Sequence, residues 1–333
     1  MKKHQKILIT LISSILLTIA WPVWGYPVFI FFGFVPLLWL ENRIAEGEKG
    51  RIFWLAFLAF FVWNVATTWW VWNATPAAIA AWLLNALFMG FIFWMFHLTK
   101  KKLCNNVWGN FFIIPYWMAF ELLTYHWVAK WPWLNLGNAF STCHQWVQWY
   151  EYTGLSGGTL WVLLSNILIT NALISHSEHQ TKMRNAFSIC GLAIIILPIV
   201  ISIFIYNHYE EKGEDTEVIV VQQNCDPWNE QFDSGFYRET LERNINLANS
   251  LVTPNTRFIV SSESAIQEGI WWDDTEASWS LRDLKAFIDE HPQTCYVIGA
   301  TTYDWVPKGM EDDFPARQFG HNNEYFYTRN SAI

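Results

Sequence analysis

The chain has 333 residues, 53% of them hydrophobic, 18% aromatic and only 15% charged, with 23 Trp and a mean hydropathy of +0.15. Soluble domains carry about 25% charged residues, so this balance excludes a disordered chain and argues against a purely soluble enzyme. Residues 1–206 hold 12 Lys and Arg against 6 Asp and Glu, whereas residues 207–333 hold 9 against 23. Two domains follow: a membrane-embedded first segment, 1–206, and a water-exposed acidic one, 207–333. No basic patch or nucleic-acid motif occurs, so no nucleic-acid partner is expected.

Residues 7–40 contain no charged side chain. Pro22, Gly25 and Pro27 interrupt the run, because proline lacks the N–H that a continuous helix needs. Two spans are predicted, near 7–20 and 27–40. Each falls short of the ~20 residues of a full crossing, so their ends must extend or the hairpin must sit in a thinned bilayer. No A-x-A pattern precedes Tyr26, so Lys2–Gly25 reads as a retained span rather than a cleaved signal. Residues 52–99 again lack Asp, Glu, Lys and Arg, and Asn73-Ala-Thr-Pro76 divides them into spans near 52–72 and 77–98. Further apolar segments lie near 111–129, 157–175 and 187–206. In lipid every backbone polar group must be satisfied within the segment, so the seven spans are expected as helices.

With the N-terminus inside, the inside segments carry Lys2, Lys3, Lys6, Arg43, Lys49, Arg51, Lys100, Lys101, Lys102, Lys182 and Arg184. The outside loops before residue 207 carry Lys130 alone. The positive-inside rule therefore sets the N-terminus in the cytoplasm and, with seven spans, residues 207–333 outside it. The loop 130–156 is rich in Trp and Tyr. It reads either as an interfacial aromatic belt or as a lip that admits an acyl chain. Glu121 lies within the fifth span. It is either a functional group or a structural one, protonated or paired with His126.

Beyond Lys212 the pattern changes. Glu217–Gln223, Arg257–Ser261, Cys295–Ala300 and Glu324–Ile333 read as strands. Gly235–Leu251 and Ser278–Glu290 read as helices. Their alternation predicts an α/β layered domain, with chemistry at the carboxyl ends of strands, where Glu263 stands. The five cysteines show no metal or disulfide spacing. A nucleophile needs a nearby base and a tight turn that exposes it, and Cys295 opens a strand rather than following one, so Cys225 and Cys295 are weak candidates.

Several motifs then converge. Glu263-Ser264-Ala265-Ile266 after an apolar strand resembles the E-[ST]-A signature of the nitrilase-like (carbon–nitrogen hydrolase) domain of apolipoprotein N-acyltransferases. Val220-Val-Gln-Gln-Asn224 followed by Trp228 resembles that domain's first strand. Trp131-Pro-Trp-Leu-Asn-Leu-Gly137 is similar to the family's F-P-W-L-x-x-G loop, and Trp117 to Glu121 match the helix before it. Val297-Ile-Gly-Ala300 and Asn330-Ser331 fit later strands. Ser262 replaces the family's Pro before the Glu, and Leu122–Tyr125 contains no Arg where the family often has one.

The resemblance implies a seven-span helical bundle followed by an incomplete αββα sandwich. It implies transfer of an acyl chain from a phospholipid, usually phosphatidylethanolamine, to the N-terminal diacylglyceryl-cysteine of a lipoprotein through a thioester acyl-enzyme. Glu263 is the implied general base, and Trp228 either lines the acyl pocket or simply packs. The implied setting is a bacterial inner membrane with residues 207–333 in the periplasm, and neither cofactor nor metal is called for. The family's triad runs Glu, Lys, Cys. Only the Glu position is present before Ile333, and the family's last span also lies beyond it. A truncated or fragmentary chain, inactive by itself, is therefore expected. The alternative is a non-catalytic membrane-anchored protein that binds a ligand or partner. A transporter is disfavoured, because Glu121 is the one charged residue assigned to a span.

Overall fold

The computed structural model describes residues 1–127, 130–231, 233–310, 315–320 and 323–333. The chain divides into two compact units, Met1–Glu210 and Glu211–Ile333.

Among the described residues of the first unit six segments are long and apolar enough to cross a membrane: Lys3–Ala20, Pro27–Ala45, Ile52–Asn73, Ala78–Leu103, Tyr150–Ser177 and Thr181–Asn207. They contain α1 (Lys3–Ala20), α2 (Val35–Ala45), α3 (Ile52–Thr68), α4 (Ala78–Leu103), α6 (Tyr150–Ser177) and α7 (Thr181–Asn207). The two N-terminal segments are longer than their apolar runs, as a crossing requires. The expected fifth span differs. It is a 3₁₀ turn, Val107–Phe112, running into a 14-residue helix, α5 (Ile113–His126); residues 128–129, at its expected end, lie outside the described residues. Asn110, Glu121 and Thr124 dilute its apolar character, and all three are buried within the bundle.

Lipid tails are as apolar as leucine, so association of these helices rests on shape, aromatic pairs and polar contacts. Trp117 meets Phe34 edge-on with ring centroids 4.8 Å apart, and Phe31 meets Trp161 at 4.7 Å. Such pairs contribute about 0.5–1.5 kcal/mol each beyond area burial. The backbone break between Phe32 and α2 is satisfied from α6: the Asn166 side chain accepts from Phe34 N–H and donates to Ile30 C=O, both at 2.8 Å. By contrast, α7 shows an almost continuous apolar exterior, including Leu192, Leu197, Ile201 and Phe204, as a lipid-facing helix should.

Among the described residues the second unit holds two sheets. One is parallel, in the order β1 (Glu217–Val221), β2 (Thr256–Ser261), β4 (Cys295–Val297). The other runs β3 (Ile266–Trp271), β5 (Gly299–Trp305), β7 (Tyr325–Ala332), β6 (Arg317–Gln318). In it β3 and β5 are parallel, while β7 is antiparallel to both of its neighbours. Helix α8 (Tyr237–Asn249) buries Thr240, Leu241, Asn244 and Ala248, the i, i+4, i+8 stripe of a core-facing helix. Helix α9 (Trp279–Glu290) starts at Ser278, whose hydroxyl accepts from Leu281 N–H at 3.2 Å. Glu268 of β3 reinforces that end, accepting from the Ser278 hydroxyl and Ser280 N–H. A carboxylate there complements the helix dipole.

Two expectations need correction. The single strand expected over 295–300 is two strands in different sheets, because the chain changes sheet at Ile298. The stretch between Ala265 and Ser278, where no element is expected, contains the strand β3. Pairing with β5 supplies what local propensity lacks.

Candidate functional site

In the α/β unit the chain leaves the first sheet for the second twice, once after β2 and once after β4. Glu263 lies in the first of these turns, just beyond the carboxyl end of β2, the central strand of the parallel sheet. The two turns touch. A Cβ at Gly299 would lie 2.6 Å from Ser262 O and 2.7 Å from Glu263 Cα. Real Cβ atoms do not come so close, so the turn requires glycine there. Ser264 completes it with a left-handed φ of 52°.

The Glu263 side chain is exposed. Its Oε1 accepts a 2.5 Å hydrogen bond from Asn330 Nδ2. Asn330 sits opposite Thr301 in the β5–β7 ladder, so the second sheet aims the carboxylate. The arrangement is that of an accessible proton acceptor with a fixed orientation.

Behind the turn lies a buried polar network that the sequence did not reveal. Asn244 of α8 donates to Gln223 Oε1 at 2.9 Å. Its Oδ1 accepts from the Ser261 hydroxyl at 2.8 Å and from the Tyr296 hydroxyl. One side chain thus ties together Gln223 just beyond β1, Ser261 at the end of β2 and Tyr296 within β4. Burial pushes the Tyr296 phenol up from its ordinary range, which keeps it a donor.

Trp228 lies in the turn after β1 with its side chain exposed, and its N–H donates to Asp226 Oδ1 at 2.8 Å. Neither cysteine of the unit near these strands has the setting of a nucleophile. Burial pushes the Cys225 thiol up, and Gln267 Nε2 donates to its sulfur at 3.7 Å. Cys295 is level with Phe258, so roughly 10 Å of strand separates that level from the end of β2. Among the described residues, no three His, Cys, Asp or Glu side chains gather where they could hold a metal ion.

In the membrane unit, Glu121 is buried, and His126 is not its partner. Oε1 accepts from Trp117 Nε1 at 3.0 Å and from Leu136 N–H at 2.7 Å, and Oε2 accepts from the Thr159 hydroxyl at 2.5 Å. Glu121 therefore pins the Trp131–Gly137 loop between α5 and α6. Tyr150 reinforces it by donating to Gly137 C=O at 2.9 Å. A Cβ at Gly137 would lie 2.4 Å from Leu155 O, so that loop residue too must be glycine.

A second buried polar group joins α2, α4 and α6. Lys100 Nζ donates to Glu41 Oε2 at 2.5 Å and to Asn110 Oδ1 at 2.8 Å, and Asn110 donates to Asn171. His97 Nδ1 lies 2.7 Å from Glu41 Oε1. Glu41 and Lys100 have no exposed surface. This corrects the assignment of Lys100 to a free inside loop and of Glu121 as the one charged group within a span. The helices continue past their apolar runs, and His97 and Lys100, three residues apart, share the inward face.

Residues 13–168 match the family model described as Apolipoprotein N-acyltransferase N-terminal domain. The chain is also 26% identical over 270 residues to the apolipoprotein N-acyltransferase of Chlorobaculum tepidum. The chain is thus similar to apolipoprotein N-acyltransferases, with residues 13–168 matching the N-terminal domain of that family. The alignment takes in 77% of this chain and 48% of the relative, so the chain spans about half the length of the protein it matches. Residues 1–206 make up less than two thirds of the chain, so the alignment also reaches into the α/β unit. Within the matched residues fall Glu121, its loop Trp131–Gly137, and the Glu41–Lys100 pair.

Proposed function

We propose that this chain serves apolipoprotein N-acylation, with Glu263 as general base. The observation that carries the reading is the exposed Glu263 carboxylate, aimed by Asn330 at the end of β2, in a chain whose residues 13–168 match the family's N-terminal domain. In the proposed reaction Glu263 takes the proton of a cysteine thiol. The thiolate attacks an ester carbonyl of a phospholipid, phosphatidylethanolamine in the expected case. A lysine steadies the oxyanion, the C–O bond breaks, and the lysophospholipid leaves with the proton. The α-amine of a diacylglyceryl-cysteine then attacks the thioester, the C–S bond breaks and an amide forms. Each step needs an acid–base group, a nucleophile and an oxyanion cation. In this reading Trp228, exposed in the turn after β1, lines the acyl pocket, the alternative being that it simply packs.

In the family the Lys and the Cys follow the strand that Asn330-Ser331 resembles, and residues 1–333 do not include them. We therefore expect these residues alone to form no acyl-enzyme. The two sheets with α8 and α9 then correspond to the first part of a nitrilase-like αββα sandwich. The settings of Cys225 and Cys295, neither of them that of a nucleophile, leave a second reading, a non-catalytic membrane protein whose α/β unit binds a ligand or partner. The gene's reading frame past the Ile333 codon separates the two. A Lys, then a Cys after a strand, then an eighth apolar span support the enzyme; an immediate stop codon supports the binding protein.

Both substrates are anchored in a bilayer, so the site belongs at its outer surface. We propose seven crossings, with the N-terminus cytoplasmic and residues 207–333 periplasmic, in a bacterial inner membrane. The 3₁₀ turn and α5 together rise roughly 33 Å, enough for the ~30 Å hydrocarbon core. Lys101 and Lys102 at one end and Lys130 at the other fit the charge bias.

A further inference from the structure

A groove of about 1070 Å³ opens where α1 and α3 both begin. The two helices pack against each other. Four cationic side chains line it, Lys3, Lys6, Lys49 and Arg51, with Glu48 among them. Glu48 is already engaged. It accepts from Lys6 Nζ at 3.1 Å and from the Met1 amino group at 2.9 Å, and these contacts hold its carboxyl below the usual range. Lys3, Lys49 and Arg51 are exposed and form no ion pair among the described residues. The lining also includes the apolar side chains of Ile7, Trp54, Leu55 and Leu58. The groove thus combines exposed, uncompensated positive charge with a hydrocarbon surface.

We propose that this groove holds an anionic glycerophospholipid, its phosphodiester met by Lys3, Lys49 and Arg51 and its upper acyl chains lying on Trp54 and Leu58. Charge complementarity selects an anionic headgroup, because each Lys or Arg at a membrane surface attracts anionic lipid. The apolar wall and the size select a lipid over free phosphate, since pockets of 300–1,000 Å³ suit ligands much larger than a single phosphate. The site is separate from the Glu263 turn and does not depend on the acyl-transfer reading.

Native mass spectrometry of the full chain in mild detergent tests it, with phosphatidylglycerol and phosphatidylcholine as probes. One phosphatidylglycerol is retained in preference to phosphatidylcholine. Lys49→Ala with Arg51→Ala lowers that retention by about 25-fold, fivefold for each cation. Lys182→Ala with Arg184→Ala, a cation pair elsewhere, leaves it unchanged, and 10 mM inorganic phosphate does not displace the lipid. Equal retention of the two lipids, no loss in the Lys49/Arg51 variant, an equal loss in the Lys182/Arg184 variant, or displacement by phosphate would each overturn the proposal.

Discussion

Asn330 of β7 donates a 2.5 Å hydrogen bond to Glu263, which lies 67 residues earlier in the chain and follows a strand of the other sheet. The contact makes the orientation of the carboxylate a property of both sheets. In a form of the protein that carries the thiol, Glu263→Gln should lower acyl-enzyme formation by ~10²-fold or more, the scale of a lost acid–base group. Asn330→Ala leaves the carboxylate present but unaimed, so its loss should be smaller. Mass-spectrometric detection of the thioester reads both, and near-normal acylation in Glu263→Gln would sink the assignment.

Asn244 carries the support behind that turn. Asn244→Ala strips partners from Gln223, Ser261 and Tyr296 at once, and an orphaned buried polar group costs about 1–3 kcal/mol. A net destabilisation of the α/β unit by about 2–4 kcal/mol is expected, read as faster proteolysis between residues 211 and 333. An unchanged cleavage rate would show that the network carries no weight.

The buried Glu41–Lys100 pair gives a double-mutant test in the membrane unit. Removing one partner leaves a buried uncompensated charge, so Lys100→Met should destabilise by about 3–5 kcal/mol. Adding Glu41→Leu removes that charge and should recover most of the loss. Thermal unfolding in detergent measures both variants. Additive losses in the double variant would mean that the two side chains act independently.

The sequence made the helical half legible because apolar runs and proline breaks are local signals. It also brought Glu263 into view, since a strand followed by a short polar turn is local too. What stayed hidden was assembled from a distance. Asn244 lies mid-helix and looks like any polar helical residue until Gln223, Ser261 and Tyr296 converge on it. Lys100 reads as one of three lysines after a span, and only the inward face it shares with His97 distinguishes it from Lys101 and Lys102. Gly299 sits inside an apolar run that reads as one strand, and its role shows only when the Glu263 turn is laid against it.

The charge bias makes a topological prediction. Alkaline phosphatase fused after Tyr209 should be active, because the seven-crossing reading puts that point in the periplasm. An inactive fusion there, with an active cytoplasmic reporter at the same site, would reverse the orientation.

The most direct test of the central claim is the chemistry of lipoprotein N-termini in a strain depleted of its own N-acyltransferase. Residues 1–333 alone should leave them diacylated, with a free α-amine. The same chain continued through the family's Lys and Cys should restore the third acyl chain, and Glu263→Gln in that longer form should abolish it. Triacylated lipoprotein made by residues 1–333 alone, or by the Glu263→Gln form, would contradict the account.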